Sequence, residues 1–262
     1  ILGSGDIGMI MARRLTLEGA KVKAVVEIMP YLTGLTRNKV QCLDDFDIPL
    51  FLKHTITDIK GKNRVEKVTV AQVDDNLCPI KGTEWDIDCD TLLLSVGLIP
   101  ENELSKKAQV KLSPITLGPI VSQRMETNVK NIFACGNVLH VNDLADNVTI
   151  ESQLAGMYAG LNALGKEYKP RKITECIPGE GIRYIVPQKI EVTDEVQDIT
   201  LYFRVTEPAR DVSLEIVSKG ETIARARRQK INPGEMEKMR IKADAIEKLG
   251  DELIVRVAEV KS

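Results

Sequence analysis

The run Gly3-Ser4-Gly5-Asp6-Ile7-Gly8 places glycine at its first, third and sixth positions. The chemistry open to such a run is the wrapping of a diphosphate. Gly3 permits a tight turn, Gly5 lets the backbone approach phosphate oxygens, and Gly8 lets a helix lie close on a strand. Ser4, Asp6 and Ile7 complete the loop. The helix that opens here adds unpaired N–H groups and a partial positive charge. Glu27 follows roughly 20 residues later, at the end of the β-branched run Lys21–Glu27, where a carboxylate can accept hydrogen bonds from ribose hydroxyls. It would repel a 2′-phosphate, and Ile28-Met29-Pro30-Tyr31 holds no arginine to reverse that preference. The pattern predicts NAD as ligand in preference to NADP.

A second informative stretch is Thr127-Asn128-Val129-Lys130-Asn131-Ile132-Phe133-Ala134-Cys135-Gly136-Asn137, and a third is Leu94-Ser95-Val96-Gly97-Leu98-Ile99-Pro100. With the glycine loop, in this order and at this spacing, they resemble the pyridine-nucleotide-disulfide oxidoreductase superfamily of two-dinucleotide flavoproteins. The resemblance covers about residues 1–165. It implies FAD and NAD as cofactors, a return of the chain at Gly97 from one dinucleotide domain to the other, and a flavin-holding segment at Gly136, Asn137 and Val138. It also implies a helix beginning near Asn147-Val148-Thr149 whose amino terminus faces the flavin N1–C2 edge, with Thr149 among the cofactor contacts. Asn137 stands where the family carries an aspartate. An amide still hydrogen-bonds a ribityl hydroxyl but without charge assistance. The family's redox Cys pair is not seen, which disfavours disulfide reduction of the thioredoxin-reductase type.

The segment Gly136-Asn137-Val138-Leu139-His140-Val141-Asn142-Asp143 is similar to the NAD-linked flavoprotein subunits encoded beside anaerobic glycerol-3-phosphate-type dehydrogenases, and to flavoprotein subunits of amino-acid dehydrogenases and cyanide synthases. That implies a partner dehydrogenase subunit. The implied reaction is hydride transfer between nicotinamide C4 and flavin N5, in which the protein supplies position and electrostatics. No side chain stands out as general acid or base. His140 and His54 read as structural, Cys135 as a small buried hydrophobe, and Glu151 as an acid favoured near a helix start. An NADH oxidase of the same superfamily and a non-catalytic NAD-binding or assembly module are the competing readings.

These residues need positioning elements. A strand stub at Ile1-Leu2, a helix over Ile7–Glu18, a strand over Lys21–Glu27, a helix over Thr33–Phe46 and a strand at Leu50–Leu52 give the β-α-β signature of a Rossmann-like domain. Thr55–Val73 changes to period two and reads as an antiparallel meander, and Asp90–Val96 reads as a buried strand. Leu104–Pro119 reads as loop, Asn131–Cys135 as a short strand, and Thr149–Leu164 as a helix. Lys169-Pro170-Arg171-Lys172 reads as a linker. Beyond it, strands are expected at Tyr184–Val186, Ile199–Val205, Val212–Val217, Ile223–Arg227, Met239–Ile241 and Leu253–Val257. The turn signals Ser218-Lys219-Gly220 and Asn232-Pro233-Gly234 separate some of them, as in a small β-sandwich. Arg225, Arg227 and Arg228 read as a solvated strand face or edge protection rather than a docking patch. The expected fold is α/β: a Rossmann-like NAD-binding domain over 1–98, the carboxy-terminal part of a FAD domain over 99–168, and a small all-β domain over 169–262.

Composition sets the outer bounds. A net charge of -2 argues against a nucleic-acid surface, and no apolar run approaches the ~20 residues of a membrane span. The odd, scattered cysteines Cys42, Cys78, Cys89, Cys135 and Cys176 suit reduced thiols in a cytoplasmic protein, with neither a disulfide framework nor a metal site. The chain starts on Ile1 inside a motif and shows no secretory leader, so a natural start further upstream is expected. Homo-oligomerisation is compatible with all of this.

Overall fold

The computed structural model describes residues 1–195 and 197–259. They form two compact units that divide after Gly97.

In the first unit, helix α1 (Asp6–Leu17) leaves the glycine loop and ends at the C-cap Glu18, just before Gly19. Strand β1 (Val25–Glu27) is buried throughout. Helix α2 (Thr36–Cys42) and a 3₁₀ turn over Asp44–Phe46 lead to β2 (Leu50–Leu52). β1 and β2 pair in parallel. Leu2 bridges both Val26 and Leu94 in parallel, so the order across the sheet is 50–52, 25–27, 2, 94. That is the crossover order of a Rossmann half, with the glycine loop leaving the sheet beside its central position. Met9 and Ala12 of α1 pack with Val25, Cys42, Leu43 and Ile48 as one core. Strands β3 (His54–Lys60), β4 (Lys67–Gln72) and β5 (Trp85–Asp88) form the antiparallel meander.

The stretch 90–96 departs from the expected buried strand. Leu2 N–H donates to Leu93 O and Ser95 N–H to Leu2 O, but pairing stops at that one edge. Leu94 and Val96 are 68% and 66% exposed. An apolar run becomes a buried strand only where a second layer covers it; here Leu92 packs on the Val26, Val68 and Val70 cluster, while Leu94 and Val96 are left uncovered among the described residues.

In the second unit, the expected loop holds a short helix, α3 (Glu103–Lys107). The expected strand 131–135 is reduced to a bridge between Glu126 and Phe133. Helix α4 runs over Ala145–Ala163, starting earlier than expected. Strands β6 (Lys172–Pro178), β7 (Ile182–Val186), β8 (Lys189–Val192), β9 (Ile199–Val205), β10 (Ala209–Ser218), β11 (Glu221–Ile231) and β12 (Glu237–Ile241) follow, then a short helix α5 (Ala243–Ile246) and β13 (Glu252–Glu259). They make a five-stranded sheet, β11-β10-β13-β6-β8, and a three-stranded sheet, β12-β9-β7. Leu201, Phe203 and Ile241 from the smaller sheet and Ile190, Leu214, Ile216 and Val255 from the larger share one fully buried core, as a β-sandwich requires. β6 and β8 were not foreseen. The expected linker is sheet-bound at its end: Arg171 N–H donates to Val192 O and Lys172 opens β6. Of the arginines Arg225, Arg227 and Arg228, the first and third form ion pairs. Arg225 and Arg256 both reach the buried Glu215, at 2.6 and 2.8 Å, and Arg228 reaches Glu237 at 2.8 Å.

The residues between 98 and 168 are laced to this sandwich. Gln123 and Glu191 exchange hydrogen bonds of 2.7 and 2.8 Å. Val121 N–H donates to Gln188 Oε1 at 2.9 Å. Arg124 pairs with Glu191, and Arg204 with Asp143. Tyr184 and Val186 of β7 belong to the same core as Val121, Met125, Leu139 and Ala155.

Candidate functional site

The glycine loop is built by close approach on one side and open space on the other. Gly3 sits at φ +103°, and a Cβ there would lie 2.0 Å from the Ser95 carbonyl oxygen. A Cβ on Gly8 would lie 2.6 Å from Gly3 O and 2.9 Å from Ser95 Oγ. Both positions require glycine to let α1 rest on the sheet. Gly5 differs: its backbone is extended, φ -62° and ψ 164°, and nothing lies within 4 Å of a Cβ built on it. Of the three loop glycines, Gly5 is the one with open space beside it. Helix geometry leaves the amides of Asp6, Ile7 and Gly8 without intrahelical acceptors, beside that open space.

Ser4 shapes the loop from behind rather than lining its open side. It is fully buried, and both its N–H (2.8 Å) and its Oγ (2.6 Å) donate to Glu27 Oε2. Thr33 Oγ1 donates to the same oxygen at 2.9 Å, and Met29 N–H donates to Oε1 at 2.9 Å. Glu27 is 4% exposed and thus locks loop, strand end and following turn together. Oε2 takes three donors, whereas Oε1 takes Met29 N–H and can accept a further hydroxyl. The Asp6 carboxylate turns sideways and accepts from Leu35 N–H (2.8 Å) and Asn38 Nδ2 (2.7 Å). Ile7 is 70% exposed on the first turn of α1. Gly97, at φ +96°, is the last residue of its unit.

The second candidate site is the 3₁₀ turn Gly136–Val138. Gly136 takes φ +69°. Gly118 lies so close under Leu139 that a Cβ on it would meet the Leu139 carbonyl oxygen at 1.7 Å. Asn102, 4% exposed, donates from Nδ2 to Val138 O at 2.8 Å and to Leu117 O at 3.0 Å. The exposed Asn137 uses Oδ1 to accept Asn142 N–H at 3.1 Å. Its Nδ2 has no protein partner among the described residues and is available as a donor. Thr149 lies in the second turn of α4, exposed, its hydroxyl donating back to Ala145 O at 3.0 Å. Since α4 starts at Ala145, the unpaired amides at its tip belong to residues before Thr149.

Sequence reasoning missed Glu151. It is 1% exposed. Its Oε2 accepts Gly136 N–H at 2.8 Å, and its Oε1 lies 2.6 Å from Nε2 of His140, itself 1% exposed. The His140 ring also meets Tyr184 and Tyr202 edge to face, at 6.0 and 6.2 Å. Burial raises the phenol pKa of both tyrosines, with the Glu151 charge adding to the rise at Tyr202. Arg204 braces the far side, donating to Tyr184 Oη at 3.2 Å and Val141 O at 3.1 Å. An acid buried in a helix with a histidine in the segment before it was the available signal, but nothing in the spacing paired them.

Residues 1–160 match the family described as pyridine nucleotide-disulphide oxidoreductase. The chain belongs to that family. Among its relatives are an NADH oxidase of Methanocaldococcus jannaschii, 29% identical over 64% of this chain and 37% of the relative, and a CoA-dependent NAD(P)H sulfur oxidoreductase of Pyrococcus abyssi, 26% identical over 64% and 37%. The chain therefore spans less than half the length of these relatives. A solved thioredoxin reductase of T. acidophilum superposes with a TM-score of 0.55 at 25% identity, covering 62% of this chain and 51% of that one. The matched region contains both candidate sites. Among the described residues, no helix is long and apolar enough to cross a membrane.

Proposed function

We propose that the protein is an FAD-dependent NAD(H) oxidoreductase of this family that moves a hydride between nicotinamide and flavin. The single observation that carries the reading is the open space at Gly5, in a loop whose other glycines are packed to contact. A phosphate that must come close to the backbone gives that asymmetry a use. In this reading the Gly5–Gly8 amides hold the pyrophosphate of NAD, and Glu27 Oε1 takes a ribose hydroxyl. Asn137 donates to the ribityl or phosphate part of FAD from the fixed turn 136–138, with Gly97 marking the change of unit and the tip of α4, ahead of Thr149, turned toward the flavin. The bound flavin supplies the two-electron chemistry; the chain supplies donors, orientation and charge.

Support comes from the family membership and from the names of relatives that act on NADH or NAD(P)H. The segment Gly136–Asp143 is what favours passage of electrons to or from a partner dehydrogenase subunit in the cytoplasm. An NADH oxidase is the second reading, favoured by the name of the M. jannaschii relative. Purification of the natural polypeptide that carries this chain, with whatever accompanies it, tests the proposal. It should hold flavin that bleaches on anaerobic addition of NADH, and a co-purifying dehydrogenase would favour the partner reading over oxygen as acceptor. A colourless protein that ignores NADH would defeat it.

A further inference from the structure

The buried carboxylate of Glu151 stands directly behind the turn assigned to the flavin, and the proposed reaction gives it no task. Its two shortest contacts are to residues at opposite ends of one turn. Gly136 N–H at the start donates to Oε2 at 2.8 Å, and His140 at the end meets Oε1 at 2.6 Å. Asn142 Nδ2 lies 3.5 Å from Oε2 and 3.3 Å from the His140 carbonyl oxygen. With Glu151 ionised, Nε2 of His140 carries the proton. His140 Nδ1 and Asn142 Oδ1 are then buried acceptors without a partner. The groups facing the pair from other elements are the Tyr184 and Tyr202 rings, with Arg204 and Asp143 behind Tyr184. Among the described residues no lysine or arginine touches the carboxylate, and His140 is its titratable neighbour.

A buried carboxylate with no lysine or arginine beside it is costly unless its hydrogen bonds repay it. Here they fix a backbone turn. We propose that Glu151 is a positioning residue for the flavin-holding turn: its two oxygens clamp Gly136 to His140, and that clamp sets the direction in which Asn137 and the Val138 amide are presented. The inference rests on the flavin reading above. Glutamine at 151 keeps an oxygen for the Gly136 amide and offers an NH₂ to His140 Nε2, which moves the imidazole proton to Nδ1. Alanine keeps neither contact and leaves the Gly136 amide buried and unpaired.

The test has two readouts. The first is FAD affinity of the natural polypeptide in wild-type, E151Q and E151A forms, each first shown to be folded. The second is nitrogen-15 NMR of this chain, reading the His140 tautomer and exchange of the Gly136 amide proton. The expected result is FAD binding weakened about 10- to 100-fold in E151A and within about fivefold of wild type in E151Q. His140 should be protonated on Nε2 in wild type and on Nδ1 in E151Q. The Gly136 amide should be protected in both and exchange freely in E151A. Should E151A not fold, the E151Q affinity and tautomer decide the matter. Unchanged FAD affinity in folded E151A, E151Q as poor as E151A, or a tautomer indifferent to the substitution would overturn the inference. Wild-type protein that takes no FAD would instead defeat the flavin reading itself.

Discussion

Replacing Gly5 and Gly3 in turn separates a glycine kept for a ligand from one kept for the fold. At Gly5 the backbone is extended and nothing lies within 4 Å of an added Cβ. Alanine there weakens the N-cap of α1 by about 0.5–1 kcal/mol, and the stiffer unfolded chain returns about 0.4–1 kcal/mol. The net change in stability should stay within about 0.5 kcal/mol. The methyl group nevertheless occupies the space a phosphate would use, so NADH affinity should fall at least about tenfold, or about 1.4 kcal/mol. At Gly3 the balance reverses. Alanine must adopt φ +103° with its Cβ 2.0 Å from Ser95 O, costing about 1–3 kcal/mol in backbone strain and about 1–3 kcal/mol more in displaced packing. Against a typical total of about 5–15 kcal/mol, that is a large loss. Trp85, the single tryptophan, lies in the same unit and packs on Phe51 and His54. Its fluorescence in urea reports the stability, and calorimetric titration reports the affinity. G5A that binds NADH like wild type, or G3A as stable as wild type, would contradict this division of roles.

G118A should destabilise the second unit by about 1–3 kcal/mol, because its Cβ would meet Leu139 O at 1.7 Å; far-ultraviolet circular dichroism in urea measures it. Arg256, then Arg225, hold the Glu215 carboxyl below the ordinary carboxylate range, against the opposing effect of burial. Its contribution is therefore complete above about pH 4.3 and disappears as pH falls through the depressed folded value. E215Q should lower the urea midpoint at neutral pH and converge with wild type in acid; parallel curves down to low pH would contradict this. Burial pushes the Cys176 thiol well up, and the Cys42 thiol up as well, while Cys78 is exposed. Alkylation near neutral pH, read by peptide mass spectrometry, should modify Cys78 in the folded chain and Cys176 only after unfolding.

The glycine loop was legible because its demands are local: each glycine answers a contact or an opening within a few residues. Glu27 was legible as an acid at a strand end, but not as the residue that Ser4 and Thr33 close upon, since that closure depends on the chain reversing between β1 and α2. In the sandwich, alternation and the turns at 218–220 and 232–234 gave away most strands. β6 and β8 hid because Lys, Glu and Pro dilute their apolar rows. Glu151 was hidden for a different reason. Its partners lie 11 and 15 residues away, and only the packing of α4 against the turn unites them. The apolar run 90–96 misled because burial belongs to whatever covers a strand, not to the strand alone.

The proposed reaction depends on one loop holding one ligand. Amide chemical-shift mapping of this chain during titration with NADH, and separately with NADPH, tests it most directly. The largest changes should fall at Gly5, Asp6, Ile7 and Gly8, with a response at Glu27 and tighter binding of NADH than of NADPH. Shifts confined to other residues, or none at concentrations that saturate an ordinary dehydrogenase, would contradict it.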